Sequence, residues 1–391
     1  MTFSQHCPIC RSSTIRGLLF REQVPVQQNL LAKDRFAAIN VTRGDLDVVV
    51  CEECGFVFNR MFDPGRLGYG EGYEGEPYHS PSFSAYLDEL VHHIIAESGV
   101  RDCQIVEVGC GQGFFLRKLV EFEGAGNRGH GFDPGYQGEP IELDGRLKFE
   151  RRYYDRDCTN VPTDVVVARH VIEHIPDPLG LLYSIRETLV DSPNAKVFCE
   201  TPCVEWILRN RVIWDFFYEH CSYFSAPSLT AAFELAGFRV ESVRRIFQGQ
   251  YLWLEATLPR PVSSSVAKRP GRTVTLSAEF ACAEPALSEA WRRKIREMAS
   301  QEKIALWGAG AKGVTLANLI DPRQEFIDCI VDLSPQKQGR FIPGTGHPVL
   351  SPEDLPGRAV TTAILMNPNY HDENLAILRQ AKIDVRLVEE I

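Results

Sequence analysis

The stretch from Gln104 to Leu119 constrains the fold of this chain more than any other segment. Its first five residues are mostly apolar, which is typical of a buried parallel strand. The glycine-rich run Gly109–Gly113 follows, and the pattern after it predicts an amphipathic helix. Glycines between a strand and a helix let the backbone approach a ligand closely, and the helix N-terminus offers free N–H groups to an anion. The stretch therefore predicts a ligand-binding loop, with a tight structural turn as the alternative.

A second strand-like run, Gly129–Phe132, ends at Asp133. Asp133 lies twenty residues after Gly113, which is the spacing at which a carboxylate meets the ribose hydroxyls of a bound nucleoside. The glycines do not form the GxGxxG pattern of dinucleotide sites, so a dinucleotide is the weaker prediction. With Glu107 before the glycines, the pattern E-x-G-x-G-x-G resembles motif I of the class I S-adenosylmethionine (SAM) methyltransferases. That resemblance implies that the loop holds the methionine end of SAM and that Asp133 holds its ribose.

Length, charge and cysteine usage limit the classes of function. A chain of 391 residues exceeds what one core usually supports, so two or three domains are expected. The formal net charge of −10 argues against general binding to nucleic acid or to an anionic membrane. No apolar run approaches the length of a membrane span, and the first residues lack the features of a signal peptide. Four of the 12 cysteines form CxxC pairs and the others are scattered, which predicts a reduced, cytoplasmic protein.

Two CxxC pairs predict a small metal-binding domain over residues 1–80. Cys7 and Cys10 form the first pair, and Cys51 and Cys54 form the second. Two thiolates on one tight turn supply two corners of a tetrahedron, and a second pair completes a closed structural zinc site. A redox CxxC and unrelated free thiols are the alternatives. Because both pairs lie in one small segment, we predict structural Zn²⁺ and no catalytic zinc.

Strand and helix signals alternate from residue 81 to about 258, which predicts a doubly wound α/β sheet with ligands at the carboxyl ends of its strands. The last two strands have a connection of only four residues, which requires an antiparallel hairpin, so we expect a parallel sheet closed by an antiparallel edge strand. The later predicted strands are Lys148–Tyr154, Asp164–Ala168, Lys196–Cys199, Phe238–Ile246 and Tyr251–Thr257, and the predicted helices lie near 179–190 and 228–236.

Loops after the fourth and fifth strands carry candidate functional residues. Arg169 and His170 follow the fourth strand, in a segment that resembles the post-strand motif with which SAM methyltransferases line the cofactor. His174, slightly further along, fits a packed histidine better than a base. After the fifth strand, Asp, Glu, His and Tyr side chains lie among aromatic residues in segment 214–225. Aromatic walls exclude water and an imidazole is readily poised as a base near neutral pH, so His220 is the candidate base, with a buried structural histidine as the alternative.

The remaining sequence predicts a third domain, from about residue 276 to residue 391. Residues 259–265 read as a linker, and a helix is expected near 284–300. The segment Gly308–Gly313 follows a strand and matches GxGxxG, with Asp332 at the end of the next strand. A pyrophosphate resting on this loop, aided by Lys312, is one interpretation. A redox NAD site and a helix-packing turn are the other two.

The order of these features resembles that of the bacterial deoxysugar C-methyltransferases, which methylate C3 of nucleotide-linked 4-ketohexoses. The shared features are the two CxxC pairs, the SAM loop, the run Tyr218–Phe224, a second nucleotide-like fold and the late segment Lys337–Thr345. The resemblance spans nearly the whole chain. It implies a class I SAM methyltransferase sheet over residues 81–258, flanked by the zinc domain at 1–80 and a Rossmann-like domain at 276–391.

The resemblance also implies roles for individual residues. His220 would be the general base that forms an enolate beside the ketone, Glu219 would orient it, and Tyr223 would donate to the enolate oxygen. The zinc ligands would be Cys7, Cys10, Cys51 and Cys54. The SAM-binding residues would be Glu107, Gly109, Cys110, Gly111, Gly113, Asp133, Pro134, Arg169 and His170. The substrate, a nucleotide-linked sugar of the dTDP type, would contact Tyr78, Tyr218, Gly308, Gly310, Lys312 and Lys337.

The chain departs from the family's pattern in two places. The family's run reads Tyr-His-Glu-His, whereas Phe217 and Tyr218 occupy its first two positions here. After the fourth strand, Arg169-His170 and Glu173-His174 stand where the family has asparagines and an alanine–histidine pair. Both departures change the polar groups that surround the predicted site.

Three other functions fit the sequence. An O-methyltransferase would use His220 to deprotonate a hydroxyl group of a sugar or another small acceptor. A non-catalytic nucleotide-binding zinc protein would use the same loops for binding alone. A nicotinamide-dependent enzyme would use the loop at residues 308–313.

Overall fold

Three β-sheets, of four, eight and five strands, organise the protein. The computed structural model describes residues 5–68, 80–192, 194–258 and 270–389. The strands are β1 Ile15–Pro25, β2 Arg43–Cys51, β3 Val57–Asn59, β4 Gln104–Val108, β5 Arg128–Phe132, β6 Ile141–Glu142, β7 Leu147–Glu150, β8 Val165–Arg169, β9 Lys196–Pro202, β10 Ser222–Tyr223, β11 Arg239–Ile246, β12 Tyr251–Thr257, β13 Ile304–Trp307, β14 Ile327–Val331, β15 Val349–Leu350, β16 Thr362–Leu365 and β17 Arg386–Val388. The helices are α1 Arg35–Ile39, α2 Pro81–His92, α3 Phe114–Glu121, α4 Pro178–Thr188, α5 Val204–Arg209, α6 Ala226–Leu235, α7 Thr273–Ala299, α8 Ala311–Ile320, α9 Leu355–Arg358 and α10 His371–Ala381.

The N-terminal sheet takes its last strand from the middle of the chain. Strands β1, β2 and β3 are antiparallel neighbours, and β10 pairs antiparallel with β3, with Ser222 opposite Phe58. Because β10 begins two residues after His220, the segment that carries this histidine is hydrogen-bonded to the N-terminal domain. The predicted boundary near residue 80 is therefore crossed by a strand pairing.

The central sheet has the strand order β11-β12-β9-β8-β4-β5-β7-β6. Strands β9, β8, β4, β5 and β7 run parallel, which confirms the predicted doubly wound sheet. The predicted hairpin is present, but the expected edge position was wrong. Strand β12 lies between β9 and β11 and is antiparallel to both, so β11 returns to the parallel direction at that edge. Strand β7 is shorter than predicted because the backbone turns after Glu150, where Arg152 N–H bonds to the Glu150 carbonyl at 2.9 Å.

Burial explains why the first strand and helix of this sheet form where the sequence pattern placed them. Ile105, Val106 and Val108 of β4 are at most 2% exposed, since helices cover both faces of the sheet. Helix α3 buries Phe115, Leu116, Leu119 and Val120 on one side. This amphipathic packing fixes the glycine loop between β4 and α3 against the sheet.

The C-terminal sheet is entirely parallel, with the order β15-β14-β13-β16-β17. Helix α7 leads into it and begins at Thr273, eleven residues before the predicted start near 284. The early start follows from packing, because Leu276 and Phe280 are buried in the same apolar cluster as strands β1 and β2. Pro285, which obscured the helical pattern, lies on the exposed side of the helix. The predicted linker at 259–265 lies outside the described residues.

Candidate active site

The glycine loop after β4 adopts backbone conformations that side chains disfavour. Gly109, Gly111 and Gly113 have φ values of 68°, 52° and 75°, in the left-handed region. A Cβ atom on Gly109 would also overlap Val171 Cγ2, so the loop packs directly against the chain that follows β8. Two strand ends therefore meet at this loop, as expected for a ligand site at the carboxyl edge of a parallel sheet.

Asp133 holds the glycine loop from the end of the neighbouring strand β5. Gly111 N–H donates to Asp133 Oδ2 at 2.9 Å, and Gly135 N–H donates to Asp133 Oδ1 at 2.7 Å. The Asp133 side chain and the following Pro134 are half-buried. The carboxylate thus stands beside the loop, at the carboxyl edge where a nucleoside would bind.

Glu107 and Cys110 lie on the inner side of this loop. Glu107 is 2% exposed near the end of β4, and Cys110 is 4% exposed at the start of the loop. Burial, with the negative charges of Glu107 and Asp133 nearby, raises the pKa of the Cys110 thiol well above its usual value. A thiol of this kind stays protonated, so Cys110 packs the loop and is not a nucleophile.

Arg169, the last residue of β8, and His170, which follows it, belong to a buried network of polar and charged groups around Glu200. Arg169 Nε lies 2.7 Å from Glu200 Oε2, and its guanidinium stacks 4.4 Å from the centre of the Phe115 ring. His170 Nε2 lies 3.2 Å from Glu200 Oε1, and Tyr86 donates its hydroxyl to the same oxygen. Glu200 has no exposed surface, so this network fixes the chain directly beneath the carboxyl ends of β8 and β9.

His170 and Glu200 carry opposite charges at neutral pH. Burial opposes the charged form of His170, but the Glu200 and Glu173 carboxylates outweigh it and raise the pKa of His170 to about 10. Burial likewise opposes ionisation of Glu200, but Arg169 and His170 lower the pKa of that carboxyl to about 2. The His170 cation and the Glu200 carboxylate therefore form a buried ion pair beside Arg169.

His220 faces a second histidine. The rings of His174 and His220 have their centres 4.7 Å apart and lie at 89° to one another. His174 is on the short turn Ile172–His174 that follows β8, three residues after the Val171 side chain that touches Gly109. Burial, followed by the charges of His174, His170 and Lys312, lowers the pKa of His220 well below its usual value of 6.5. The imidazole of His220 is therefore neutral at pH 7, as a general base must be.

The residues beside His220 are anchored to the N-terminal domain. The Glu219 carboxylate accepts hydrogen bonds from the backbone N–H groups of Gln28 and, at 3.3 Å, Asn29. The Tyr218 hydroxyl accepts a hydrogen bond from Asp63 N–H at 2.9 Å, and its ring is 1% exposed. These contacts hold the segment from the side opposite the central sheet.

Tyr223 closes the loop that carries His220. The Tyr223 hydroxyl donates to the Phe217 carbonyl at 3.0 Å, and the hydroxyl oxygen accepts a hydrogen bond from Phe217 N–H at 3.1 Å. Burial raises the pKa of Tyr223 far above its usual value, so the hydroxyl keeps its proton. In the structure the hydroxyl closes the loop of residues 217–223 through these two hydrogen bonds. The predicted donation from Tyr223 to a substrate oxygen stays a prediction.

The C-terminal glycine loop repeats the geometry of the central one. Ala309 N–H donates to Asp332 Oδ2 at 2.8 Å, and Ser334 N–H donates to Asp332 Oδ1 at 2.9 Å. Gly308 has a φ of 125°, and Gly310 caps helix α8. Lys337 Nζ lies 3.6 Å from Asp332 Oδ2, so this predicted substrate residue stands next to the loop.

Lys312 connects the C-terminal loop to the segment before His220. Its Nζ lies 3.0 Å from Asp215 Oδ2 and 3.3 Å from Gln250 Oε1. Asp215 ends the short turn Ile213–Asp215, five residues before His220. One short segment, residues 215–220, therefore links the two sites. Its first residue contacts Lys312 of the predicted nucleotide-binding loop, and its last residue is the candidate base.

The four predicted metal-binding cysteines come together in the N-terminal domain. All four sulfur atoms lie within 4.8 Å of one another, with Cys7 and Cys54 3.6 Å apart and Cys10 and Cys51 3.5 Å apart. A tetrahedral Zn²⁺ with Zn–S bonds of about 2.3 Å separates its sulfurs by about 3.8 Å. The donor type, number and spacing therefore fit a closed zinc site held by Cys7, Cys10, Cys51 and Cys54.

The sequence did not identify three residues of this site, and one residue that it did predict lies outside the described part of the chain. His174 looked like a packed histidine, and Tyr86 and Glu200 carried no motif. Glu200 follows the apolar run of β9, so its place at the carboxyl end of a strand was the signal that could have identified it. Tyr78, a predicted substrate contact, lies outside the described residues.

Among the helices of the described chain, none combines the length and apolar character that a bilayer span requires.

Two families match this chain in separate segments. Residues 82–243 match a family described as "Methyltransferase domain", and residues 273–385 match one described as "C-methyltransferase C-terminal domain". A curated relative, "C-methyltransferase NovU" of Streptomyces niveus, is 27% identical over 391 residues, which cover 94% of this chain and 90% of the relative. The similarity therefore extends through all three sheets.

Solved structures resemble the central part of the chain. One is a 1,6-didemethyltoxoflavin-N1-methyltransferase of Burkholderia thailandensis with S-adenosylhomocysteine bound, which is 16% identical over 51% of this chain and 94% of that chain, with a TM-score of 0.34. Another is a SAM dependent methyltransferase of Aquifex aeolicus, 15% identical over 47% of this chain and 98% of that chain, also with a TM-score of 0.34. These TM-scores are too low to carry an argument by themselves.

The strand order, the glycine loop, the two matched segments and the relative along most of the chain agree with one another. They show a class I α/β sheet that binds SAM, followed by a Rossmann-like C-terminal domain. The chain is a SAM-dependent methyltransferase that is similar to a C-methyltransferase along most of its length.

Proposed function

We propose that this enzyme methylates a carbon atom next to a ketone in a nucleotide-linked deoxysugar, at C3 of a 4-keto sugar. The observation that carries the proposal is the position of the His220 imidazole, whose ring faces His174 at the carboxyl edge that also holds the glycine loop. Burial, which lowers its pKa, favours the neutral form that a base needs. The C-methyltransferase relative supports carbon as the acceptor. A sugar of this kind has an acidic C–H bond beside its ketone, so one base is sufficient to activate it.

The chain's own residues divide the work in this proposal. His220 removes the proton from C3, and the electron pair of that C–H bond passes into the ketone to give an enolate. When bound, SAM supplies an electrophilic methyl group, which the nucleophilic carbon takes from sulfur. Asp133, Pro134 and the glycine loop would hold the cofactor at this edge of the sheet, and holding both reactants in one site lowers the entropic part of the barrier. His220 then gives the abstracted proton to solvent, which restores the neutral base.

Glu219 and Tyr218 position His220 from the N-terminal domain. Their hydrogen bonds go to the backbone at Gln28, Asn29 and Asp63, so the base stands on a segment that is fixed at both flanks. Pairing of β10 with β3 fixes the same segment on its other side. A base held in this way loses little orientational freedom when substrate binds.

The nucleotide end of the substrate would lie at the C-terminal loop. Gly308 N–H donates to the Val331 carbonyl at 2.7 Å, so an anion would meet the backbone at Gly310, which begins helix α8, where negative charge is favoured. Lys312 and Lys337 lie beside that loop and would neutralise a diphosphate of the dTDP type. Lys312 would then share its charge between the phosphate and Asp215.

Structural Zn²⁺ is also part of the proposal. The four-cysteine cluster has the donors and spacing of a closed site, and such a site stabilises a small domain. All 12 cysteines are free thiols in the structure, which fits a reducing compartment such as the cytoplasm.

A product analysis tests the function. The enzyme is incubated with SAM and a panel of nucleotide-linked keto sugars, and the product is examined by mass spectrometry and NMR. A methyl group bonded to C3 is the expected result. A methyl group on a hydroxyl oxygen would support O-methylation in its place, and SAM binding without turnover of any acceptor would oppose both.

A further inference from the structure

A second cluster of side chains that could bind a metal consists of Glu173, His174 and His220 and contains no cysteine. One ligand atom from each of the three residues lies within 4.8 Å of the others. Two imidazoles and one carboxylate are a donor set that divalent transition metals favour, in contrast to the four thiolates of the N-terminal domain. Both histidines are half-buried, so an ion from solvent has access to them.

The surroundings of Glu173 support a metal ligand. Its side chain is 1% exposed, so the carboxylate is held in a site with little water. Thr201 Oγ1 donates to Glu173 Oε2 at 3.0 Å, and His170 Nδ1 lies 3.2 Å from Glu173 Oε1. Ligating carboxylates are commonly oriented by hydrogen bonds of this kind from outer partners.

We propose that Glu173, His174 and His220 bind one divalent transition-metal ion of the Zn²⁺ and Co²⁺ type, and that the bound ion inhibits the enzyme reversibly. The ion takes the ring nitrogen lone pair with which His220 would accept the proton. The coordination involves neutral imidazoles and a carboxylate, so no electron is transferred and no bond in the protein breaks. Glu173 exchanges its contact with His170 for the metal.

The inhibitory part of this proposal rests on the proposed function of His220, whereas the binding part does not. Co²⁺ serves as the probe because its visible absorption reports the ligands directly. The full-length protein, with its cysteine site already filled by Zn²⁺, is titrated with Co²⁺. We expect one further equivalent to bind with absorption bands of a nitrogen and oxygen site, without the sulfur charge-transfer band of a thiolate site.

Graded variants separate ligands from neighbours. Thr201→Val removes one outer hydrogen bond and should weaken Co²⁺ binding by roughly 10-fold, whereas Glu173→Gln and His174→Gln should weaken it by roughly 100-fold or more. His93→Ala is the control, because His93 pairs with Glu97 and Glu255 on a separate surface and should leave the titration unchanged. Circular dichroism of each variant establishes that it is folded.

Turnover gives the second readout. Methyl transfer by the wild type should fall along the same Co²⁺ curve and recover when a chelator too weak to strip the thiolate site is added. Absence of the one Co²⁺ equivalent, or full binding in both Glu173→Gln and His174→Gln, would overturn the site. Binding that leaves turnover unchanged or raises it would overturn the inhibition. A protein that binds Co²⁺ here and methylates nothing keeps the site and contradicts the proposed function.

Discussion

The carboxylates of Asp133 and Asp332 make the same pair of hydrogen bonds in two different sheets. Each carboxylate accepts one hydrogen bond from a backbone N–H of its glycine loop, at Gly111 or Ala309. Each also accepts one from the backbone N–H two residues after the aspartate itself, and all four distances are 2.7 to 2.9 Å. Asp133 lies beside the loop proposed for SAM, and Asp332 lies beside the loop proposed for the nucleotide. The protein thus carries two similar strand–loop–helix units with different proposed ligands.

This pairing provides a matched test of which loop binds SAM. Asp133→Asn should weaken SAM binding by roughly 10-fold or more, because it removes a charge-assisted contact and loosens the loop. Asp332→Asn changes the equivalent carboxylate and should leave SAM affinity unaltered. Isothermal titration calorimetry measures both. A loss of SAM binding only in Asp332→Asn would mean that the two loops have been assigned the wrong way round.

Lys312 should matter for the nucleotide and not for SAM. Lys312→Gln removes the charge that lies 3.0 Å from Asp215, and we expect the KM for the nucleotide sugar to rise roughly 10-fold while SAM affinity stays constant. Lys303→Gln removes an exposed lysine that lies 3.7 Å from Asp328 and serves as the control. Steady-state kinetics with each substrate varied in turn distinguish the two effects. Equal KM values for Lys312→Gln and the wild type would contradict the proposed nucleotide site.

The acid side of the pH profile reports His220. Only the neutral imidazole accepts a proton, and burial together with the nearby cationic groups lowers the pKa of His220 below 6.5. As pH falls, kcat/KM should therefore stay high through pH 6.5 and decline only below it. His220→Gln should reduce turnover by roughly 100- to 10,000-fold and remove this limb, while SAM still binds. A decline centred above pH 6.5 would show that another group limits the reaction.

Much of the fold was predictable because its signals are local. The apolar run of β4, the glycines after it and the amphipathic α3 lie within eighteen residues, and their periodicity identifies them without knowledge of the rest of the chain. The order of strands in the sheet is a different matter. Whether β12 lies at the edge or one strand inside it depends on pairing with β9, which is about fifty residues away.

The partners of the predicted site residues were not predictable for the same reason. Tyr218 and Glu219 looked like substrate and base-orienting groups, yet their hydrogen bonds go to residues 155 and 191 positions away in the N-terminal domain. His174 resembled a core residue because the turn around it is apolar, and only the fold shows that it meets His220. Motifs identify which loops form a site, whereas long-range packing decides what each side chain contacts.

The charged cluster around Glu200 should contribute strongly to stability. Glu200→Gln leaves Arg169 and His170 buried without their carboxylate, and losing one partner of such a pair typically costs about 3–5 kcal/mol. Glu241→Gln, which breaks an exposed pair with Arg239, should cost less than about 1 kcal/mol. Urea unfolding measures both values. Similar midpoints for the two variants would contradict the role of the cluster.

The same cluster sets a pH window for the stability difference. The pKa of Glu200 is about 2 in the folded protein and 4.5 ordinarily, so its contribution is present above pH 4.5 and is lost towards pH 2. The pKa of His170 is about 10 in the folded protein and 6.5 ordinarily, so its contribution is complete below pH 6.5 and is lost as pH rises towards 10. The destabilisation by Glu200→Gln should therefore be largest between pH 4.5 and 6.5.

Removal of zinc should reduce turnover because it loosens the N-terminal domain that supports the His220 segment. Zinc loss, or Cys54→Ser, should loosen strands β2 and β3, to which the His220 segment is attached by β10. We expect kcat to fall while SAM binding by the central sheet persists. Elemental analysis should show one zinc per chain before chelation and none in the inactive form. Simultaneous loss of SAM binding would indicate general unfolding.

Hydrogen exchange at the acceptor carbon tests the central claim most directly. A nucleotide-linked 4-keto sugar is incubated with the enzyme in D₂O, and deuterium at C3 is followed by NMR with the wild type and with His220→Gln. The account predicts that without SAM the wild type incorporates deuterium at C3 and His220→Gln does not, and that with SAM the methyl group replaces the hydrogen on the same carbon. Methylation at C3 by a wild type that exchanges no C3 hydrogen when SAM is left out, or equal exchange by both proteins, would contradict it.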